Sequence, residues 1–139
     1  MIYEQIKTRE IIDKGWSGDK KYCVTTESGE KYLLRITSPE KTEHFRRCFL
    51  HMVEASQLEI PMCLPVEFGE CQEGSYAIHS WIDGEDAESV MSTLSTEQQY
   101  AYGRAAGKIL RKLHTLPAPG RMRTRCHKDA LPSRLLRVF

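Results

Sequence analysis

The segment KGWSGDKKYCVTTESGEKYLLRIT, from Lys14 to Thr37, carries the clearest secondary-structure pattern of the chain. Residues 20–27 and 30–37 are rich in β-branched and aromatic side chains, and the short turn Ser28-Gly29 separates them. Two such runs around a glycine turn predict an antiparallel β-hairpin. The bend Gly15–Gly18 leads into the hairpin and is followed closely by two lysines. This bend either faces a polyanion such as a nucleotide phosphate, or it is an ordinary turn with a solvated rim.

The segments on either side extend this hairpin into a sheet with one helix. Residues 3–14 have a weaker pattern, which predicts a first strand leading into the bend. After the hairpin, Ser38 and Pro39 predict a helix start, with Ser38 as the cap and Pro39 at the first helical position. The apolar face of this helix recurs at steps of three and four residues, at Phe45, Phe49, Met52 and Val53. We expect the helix to end near Ser56.

The second half of the chain predicts two more strands and a final helix. Residues 64–71 and 75–82 flank a Gln-Glu-Gly turn, and residues 83–86 form a polar connector. Ser95, with Gln98 three residues later, has the pattern of a capping box. One face of the helix that follows is lined by Tyr102, Ala106, Ile109, Leu110 and Leu113. The order β-β-β-α-β-β-α predicts an α+β fold: a five-stranded antiparallel sheet with one inserted helix, followed by a further helix.

Composition is that of a globular domain without a membrane-spanning segment. The chain has 139 residues, 40% hydrophobic and 28% charged, and its net charge is +1. No overall charge therefore draws it to nucleic acid or to a membrane. The five cysteines include no C-x-x-C pair, which argues against a zinc site or a disulfide framework and predicts free thiols. Because no run approaches about 18 apolar residues, we expect a cytoplasmic protein.

Five short segments, in this order and spacing, resemble the aminoglycoside phosphotransferase family: KGWSGDKKY, KYLLRI, IPMCLPVEFG, SWIDGED and AAGKILRKLHTLPAP. These proteins are small-molecule kinases with a protein-kinase-like fold. The resemblance runs from about Met1 to Pro119. It implies a kinase-like amino-terminal lobe at 1–82, then a hinge connector and the first helix of the larger lobe at 83–119. Residues 120–139 are a basic tail outside the family pattern, which we expect to be disordered.

The resemblance also implies a nucleotide site. Gly15, Trp16, Ser17 and Gly18 match the loop over the nucleotide phosphates, and Lys20 adds positive charge next to it. Arg35 stands where kinase-like folds carry the third-strand lysine that holds phosphate. The carbonyl of Ser80 and the N–H of Ile82 match the hinge that binds adenine. The alternative for Arg35 is a strand-edge side chain that faces solvent.

Cys48 is the first departure from the family pattern. It occupies the place in the helix where the family carries an acid that pairs with the third-strand cation. Glu43 and Glu54 lie five residues before and six after it, and neither offset is a whole number of helical turns. If Cys48 faces Arg35, the ion pair is missing. We expect Cys48 itself to be a small buried apolar residue.

The catalytic loop of the family is the second departure. The pattern H-G-D-x-x-x-x-N and a later Asp supply the carboxylates for the acceptor hydroxyl and for magnesium. The nearest string here, CHKDALPSRL, places Arg134 where Asn is needed after Asp129. We therefore assign no catalytic and no metal-binding residue, and expect a truncated chain that is inactive alone. The tail after Gly120 is interpreted as an artefact of truncation or frameshift rather than as a basic interaction arm.

Two functional hypotheses follow. In the first, the chain is the nucleotide-binding lobe of a phosphotransferase that uses ATP or GTP. The complete enzyme would add Mg²⁺ and a hydroxylated acceptor, aminoglycoside or similar. In the second, it is a non-catalytic module that binds a nucleotide or a partner, with the tail as a basic arm; a chain without any activity is a third reading. Nucleic acid is a disfavoured partner, and residues 95–114 predict self-association through their apolar stripe.

Overall fold

The computed structural model describes residues 1–15, 17–117 and the backbone of 137–138. The five strands of its main sheet are β1 (Ile6–Ile11), β2 (Lys20–Thr26), β3 (Lys31–Thr37), β4 (Pro65–Cys71) and β5 (Gly74–Ser80). All neighbouring strands are antiparallel, in the order β1-β2-β3-β5-β4. The helix α1 (Thr42–Ser56) is inserted between β3 and β4. The predicted α+β fold with a five-stranded antiparallel sheet and one inserted helix is confirmed.

One face of the sheet carries the tightest apolar core. Its buried side chains come from the three central strands: Val24, Leu34, Ile36, Tyr76 and Ile78. The amino-terminal segment covers this face, with the ring of Tyr3 stacked on that of Tyr76 at 4.1 Å between centroids. Glu67 fixes the segment, because its carboxylate accepts hydrogen bonds from the Ile2 N–H at 2.6 Å and the Tyr76 hydroxyl at 2.7 Å.

The opposite face of the sheet packs against α1. Phe45 and Phe49 of the helix contact the ring of Phe68 on β4, at 5.8 and 5.5 Å between centroids. Phe49 also lies 5.8 Å from the imidazole of His79 on β5. Side chains alternate between faces along a strand. Since its neighbours Leu34 and Ile36 belong to the core on the other face, Arg35 points to the α1 side.

The start of α1 differs from the prediction. Ser38 makes no side-chain capping bond, and a 3₁₀ turn over Pro39–Lys41 precedes the helix, which begins at Thr42. The Thr42 hydroxyl lies 2.8 Å from the Ser75 hydroxyl of β5. This tertiary contact replaces the local cap as the interaction that fixes the first turn.

A second compact unit begins at Ile82, after the first unit of residues 1–81. It contains β6 (Glu85–Asp86), α2 (Ala87–Val90), α3 (Thr96–Leu113) and β7 (Arg137–Val138), and β6 pairs antiparallel with β7. The predicted capping box of α3 is present: the Ser95 hydroxyl accepts from the Gln98 N–H, and the Gln98 side chain accepts from the Ser95 N–H. The short helix α2 has no counterpart in the sequence-based prediction. Most of the predicted tail, residues 120–139, lies outside the described residues.

Candidate functional site

The glycine bend lies between β1 and β2. Gly15 and Gly18 both have positive φ, +105° and +71°, which glycine adopts without the steric cost a side chain would add. Ser17 stabilises the bend, since its hydroxyl accepts a hydrogen bond from the Asp19 N–H at 3.4 Å. Trp16, also assigned to the phosphate loop, lies outside the described residues.

Two cations face each other beside this bend. Lys21 on β2 is the direct cross-strand partner of Arg35 on β3, so both side chains project from the same face of the hairpin. The Lys21 ammonium reaches Gly15: a Cβ built on that glycine would lie 3.0 Å from Lys21 Nζ. Like charges directly opposite each other in a sheet are destabilising. The pair therefore needs an anion close by.

Asp19 supplies one carboxylate to this cluster. Its Oδ2 lies 2.5 Å from Nη2 of Arg35, and the two side chains are 7% and 25% exposed. Burial acts to raise the pKa of Asp19, but hydrogen bonds from Arg35 and Thr37 outweigh it and lower the pKa below its usual value. Asp19 is therefore charged at neutral pH and balances one of the cations.

The Arg35 guanidinium is held in place but not fully satisfied. Its Cζ lies 5.3 Å from the centroid of the Phe45 ring of α1, a cation–π contact. Within the described residues, its buried Nε has no hydrogen-bond partner. Arg35 is thus mostly buried, and it lies on the central strand rather than at the edge of the sheet.

Lys41, which belongs to a different element, adds a further positive charge near the bend. It is the last residue of the 3₁₀ turn before α1, and its Nζ would lie 3.7 Å from a Cβ built on Gly18. Lys21 and Lys41 thus lie beside the two glycines of the bend, and Arg35 is joined to Asp19, which directly follows the bend. Asp19, Lys21 and Lys41 were not identified from the sequence. The register of the hairpin is the signal that could have placed Lys21 opposite Arg35.

Lys20 projects from the opposite face of the hairpin to its neighbour Lys21. It forms an ion pair with Glu73 of the β4–β5 turn, and as the cross-strand partner of Ile36 it projects from the opposite face to Arg35. There it borders a cleft of about 230 Å³. The lining residues of this cleft are Gly18, Lys20, Ile36, Thr37, Ser38 and Glu73. The structure therefore brings Gly15 next to Lys21, which lies opposite Arg35, and places Lys20 with Gly18 at the cleft on the other side.

Among the interactions that the structure describes, no acidic residue of α1 replaces the carboxylate that the family pattern has at the position of Cys48. Glu43 pairs with Arg47, Oε1 to Nε at 4.0 Å, and Glu54 pairs with His51, Oε2 to Nδ1 at 3.4 Å. Cys48 is half-buried rather than buried, and its Sγ lies 3.5 Å from Nε2 of His44. The partner of Arg35 thus comes from the glycine bend instead of the helix.

The two predicted hinge residues belong to different compact units of the chain. Ser80 is the last residue of β5, and Ile82 is the first residue of the second unit. Ser80 is anchored to Leu64, the residue just before β4: its N–H donates to the Leu64 carbonyl at 2.8 Å, and its hydroxyl accepts from the Leu64 N–H at 2.7 Å. The binding of adenine by the Ser80 carbonyl and the Ile82 N–H stays a prediction.

A sequence model described as "Phosphotransferase enzyme family" matches residues 8–137. The chain belongs to this family. The resemblance inferred from the five segments is thereby confirmed at the level of the phosphotransferase family.

Solved structures support the kinase-like fold of this phosphotransferase-family chain. The PknI kinase domain of Mycobacterium tuberculosis matches with a TM-score of 0.51 and 21% sequence identity, over 80% of this chain and 49% of that chain. A mutant form of the same domain matches with a TM-score of 0.51 and 18% identity, over 79% and 49%. The chain thus spans about half the length of these kinase domains, at 49%. No curated protein matches it.

The groups around the bend differ from those of a metal site. The glycine bend and the three cations are groups that attract anionic oxygen. Among residues 1–15 and 17–117, no three His, Cys, Asp or Glu side chains cluster closely enough to hold a metal. In the same part of the chain, no helix is both long and apolar enough to span a membrane.

Proposed function

We propose that this phosphotransferase-family chain binds the phosphates of a nucleoside triphosphate, ATP or GTP, between the Gly15–Gly18 bend and the Lys21–Arg35 pair. The observation that carries this proposal is the direct cross-strand pairing of two cations, of which Arg35 is paired with the carboxylate of Asp19 and Lys21 contacts its main-chain carbonyl. An anionic ligand would remove the repulsion that remains.

Each group has a distinct part in this proposal. The backbone N–H groups of the bend approach the phosphates, since glycine places no side chain in the way. Arg35 keeps Asp19 on Nη2 and contributes the charge of its guanidinium group. Lys21 and Lys41 neutralise charge on either side of the bend. Ser80 and Ile82 bind the base through backbone groups, and this does not distinguish ATP from GTP.

Catalysis by the complete enzyme is a further step of the proposal. We assign it as transfer of the γ-phosphate to a hydroxyl of an aminoglycoside-like or sugar-like acceptor, in the cytoplasm. Such transfer needs a carboxylate that orients the hydroxyl and further Asp and Asn groups that hold magnesium. None of the described residues is assigned to these tasks, so we expect this chain alone to bind nucleotide without turnover.

A titration with a fluorescent ATP analogue tests the binding. Lys21→Met and Arg35→Met keep most of the side-chain volume and remove the charge. Because each charge-assisted hydrogen bond contributes about 1.5–3 kcal/mol, each variant is expected to weaken binding roughly tenfold or more. Lys31→Met is the matched control, since Lys31 lies on the same face of the same hairpin at its exposed far end.

The control variant separates site binding from general attraction. Unchanged affinity in both Lys21→Met and Arg35→Met would disprove the phosphate site. An equal loss in Lys31→Met would show non-specific electrostatics. The alternative of a basic arm that binds nucleic acid requires an affinity that falls steeply with added salt, and a competition experiment with single-stranded DNA would reveal it.

A further inference from the structure

The exposed side of α1 carries a second cluster of reactive side chains. His44 and Cys48 lie one helical turn apart, and Nε2 of the imidazole is 3.5 Å from Sγ of the thiol. His44 is exposed and Cys48 is half-buried, so solvent reaches the pair. We propose that His44 and Cys48 form a two-ligand site for a thiophilic divalent cation such as Zn²⁺.

The distance between the two atoms is the one that tetrahedral zinc requires. Zinc binds cysteine sulfur at about 2.3 Å and histidine nitrogen at about 2.0–2.1 Å. With a tetrahedral angle at the metal, these two bonds separate sulfur and nitrogen by about 3.6 Å. The observed separation is 3.5 Å. Residues four apart on a helix share one face, so the backbone keeps the two donors within reach of one metal ion, and the two side chains already contact each other through a hydrogen bond.

The pair is independent of the phosphate site. Arg35 takes Asp19 as its carboxylate and Phe45 as its ring contact, whereas Cys48 lies against His44. Cys48 stands at the helix position where the family resemblance implies an acid, so the residue change that removes that acid also creates a thiol donor. The proposed cation site stands whether or not nucleotide binds.

The other donors of this helix face do not complete the site in its present conformation. His51 lies one turn beyond Cys48, but its Nδ1 is 3.4 Å from Oε2 of Glu54. In the described part of the chain, no three metal-binding side chains are clustered. Two coordination positions are therefore left for water or for a donor from another molecule. We expect an exchangeable site of modest affinity.

Zinc binding at this pair releases one proton. Zinc binds the thiolate, so the Cys48 thiol loses its proton to solvent as the S–Zn bond forms. His44 binds through the lone pair of neutral Nε2 and keeps its proton on Nδ1. Affinity should therefore rise with pH, and zinc uptake by an unbuffered sample should acidify it.

Protection of the thiol from alkylation is the direct test. The full chain is treated with iodoacetamide with and without Zn²⁺, and the modification of each cysteine is followed by mass spectrometry. Because the metal withdraws the nucleophilic thiolate, alkylation of Cys48 should slow about tenfold or more, while that of Cys63 is unchanged. Equal rates at Cys48 with and without Zn²⁺ would overturn the proposal.

Co²⁺ provides an independent spectroscopic measurement. A thiolate bound to Co²⁺ gives an intense near-ultraviolet charge-transfer band, and Cys48→Ser should abolish it. His44→Ala keeps the thiol but removes the second donor, so both zinc protection and the Co²⁺ band should be lost. His51→Ala is the matched control and should keep both. Retention in His44→Ala, or loss in His51→Ala, would show that the assigned pair is wrong.

Discussion

Arg35 shows how one residue acquires its role from its surroundings. Its guanidinium meets Asp19 through Nη2 and the Phe45 ring through its face. The pKa of Asp19 is lowered in the folded chain, so the Asp19–Arg35 pair stabilises the fold at neutral pH. That stabilisation is lost only as the pH falls through the depressed pKa, below about 4.

His79 predicts a separate pH dependence at higher pH. Its side chain is buried, and within the described residues neither ring nitrogen has a partner. Burial, with added repulsion from Arg35, lowers the pKa of His79 to about 4. The unfolded chain therefore takes up this proton first as pH falls. Stability should decrease between about pH 6.5 and 4, by on the order of 2 kcal/mol at pH 5.

Urea unfolding of the wild type and of His79→Leu at pH 7 and pH 5 measures this effect. The apolar side chain has no proton to gain, so His79→Leu should lose less stability than the wild type on acidification. His51→Leu, at a partly exposed helix position, should keep the wild-type dependence. An unaltered pH dependence in His79→Leu would refute the prediction.

At the scale of an element, the β4–β5 hairpin depends on one glycine. Gly74 has φ +131°, and a Cβ there would overlap the carbonyl oxygen of Thr37 and lie 2.9 Å from the backbone nitrogen of Pro39. Both neighbours are backbone atoms, which cannot move aside as a flexible side chain can. Gly74→Ala should therefore combine backbone strain with a steric clash.

Gly29→Ala is the matched substitution for this prediction. Gly29 also has positive φ, +88°, but a Cβ there meets nothing within 4 Å. The difference between the two variants isolates the clash, and we expect Gly74→Ala to lose about 2 kcal/mol more of its free energy of unfolding. Equal denaturation midpoints for Gly74→Ala and Gly29→Ala would contradict the close packing.

Local patterns were sufficient for most elements and insufficient for one boundary. The five strands and the capping box at Ser95 follow from alternation and from side chain–backbone bonds between near neighbours. The start of α1 was placed too early, because Ser38 has the right residue type but the contact between Thr42 and Ser75 sets the first turn. A contact between residues so far apart in sequence cannot be read from a local pattern.

The same limit explains which parts of the site were missed. Arg35 and the glycines have a motif, so resemblance could assign them. Lys21 needs the hairpin register, since a slip of one residue would move it to the opposite face and bring Lys20 to the face of Arg35 instead. Lys41 comes from a different element, and only the tertiary structure brings it to Gly18.

At the scale of the whole chain, burial is concentrated in the first unit. Among the described residues from Ile82 onward, Ala87 is the buried one. None of the residues of α3 is buried, and Leu110 on its apolar side is 52% exposed. Gly103 and Gly107 lower the intrinsic stability of this helix by about 1 kcal/mol each relative to alanine.

We therefore predict unequal hydrogen exchange along the chain. At low protein concentration, the amides of β2, β3 and β5 should be strongly protected, whereas those of α3 should exchange several orders of magnitude faster. The proposed self-association through residues 95–114 adds a concentration dependence, because association would cover the apolar stripe. Protection of α3 should rise with protein concentration, and Leu110→Lys should prevent the rise. Equal, concentration-independent protection of α3 and the central strands would disprove this prediction.

The β2–β3 hairpin has an evolutionary consequence. Asp19, Lys21 and Arg35 belong to one short contiguous stretch, and they are aligned by hydrogen bonds within that stretch. A single exchange of genetic material could transfer this charge arrangement intact into another sheet. The rest of the gene could then diverge widely, provided that no insertion or deletion disturbed the pairing of these two strands.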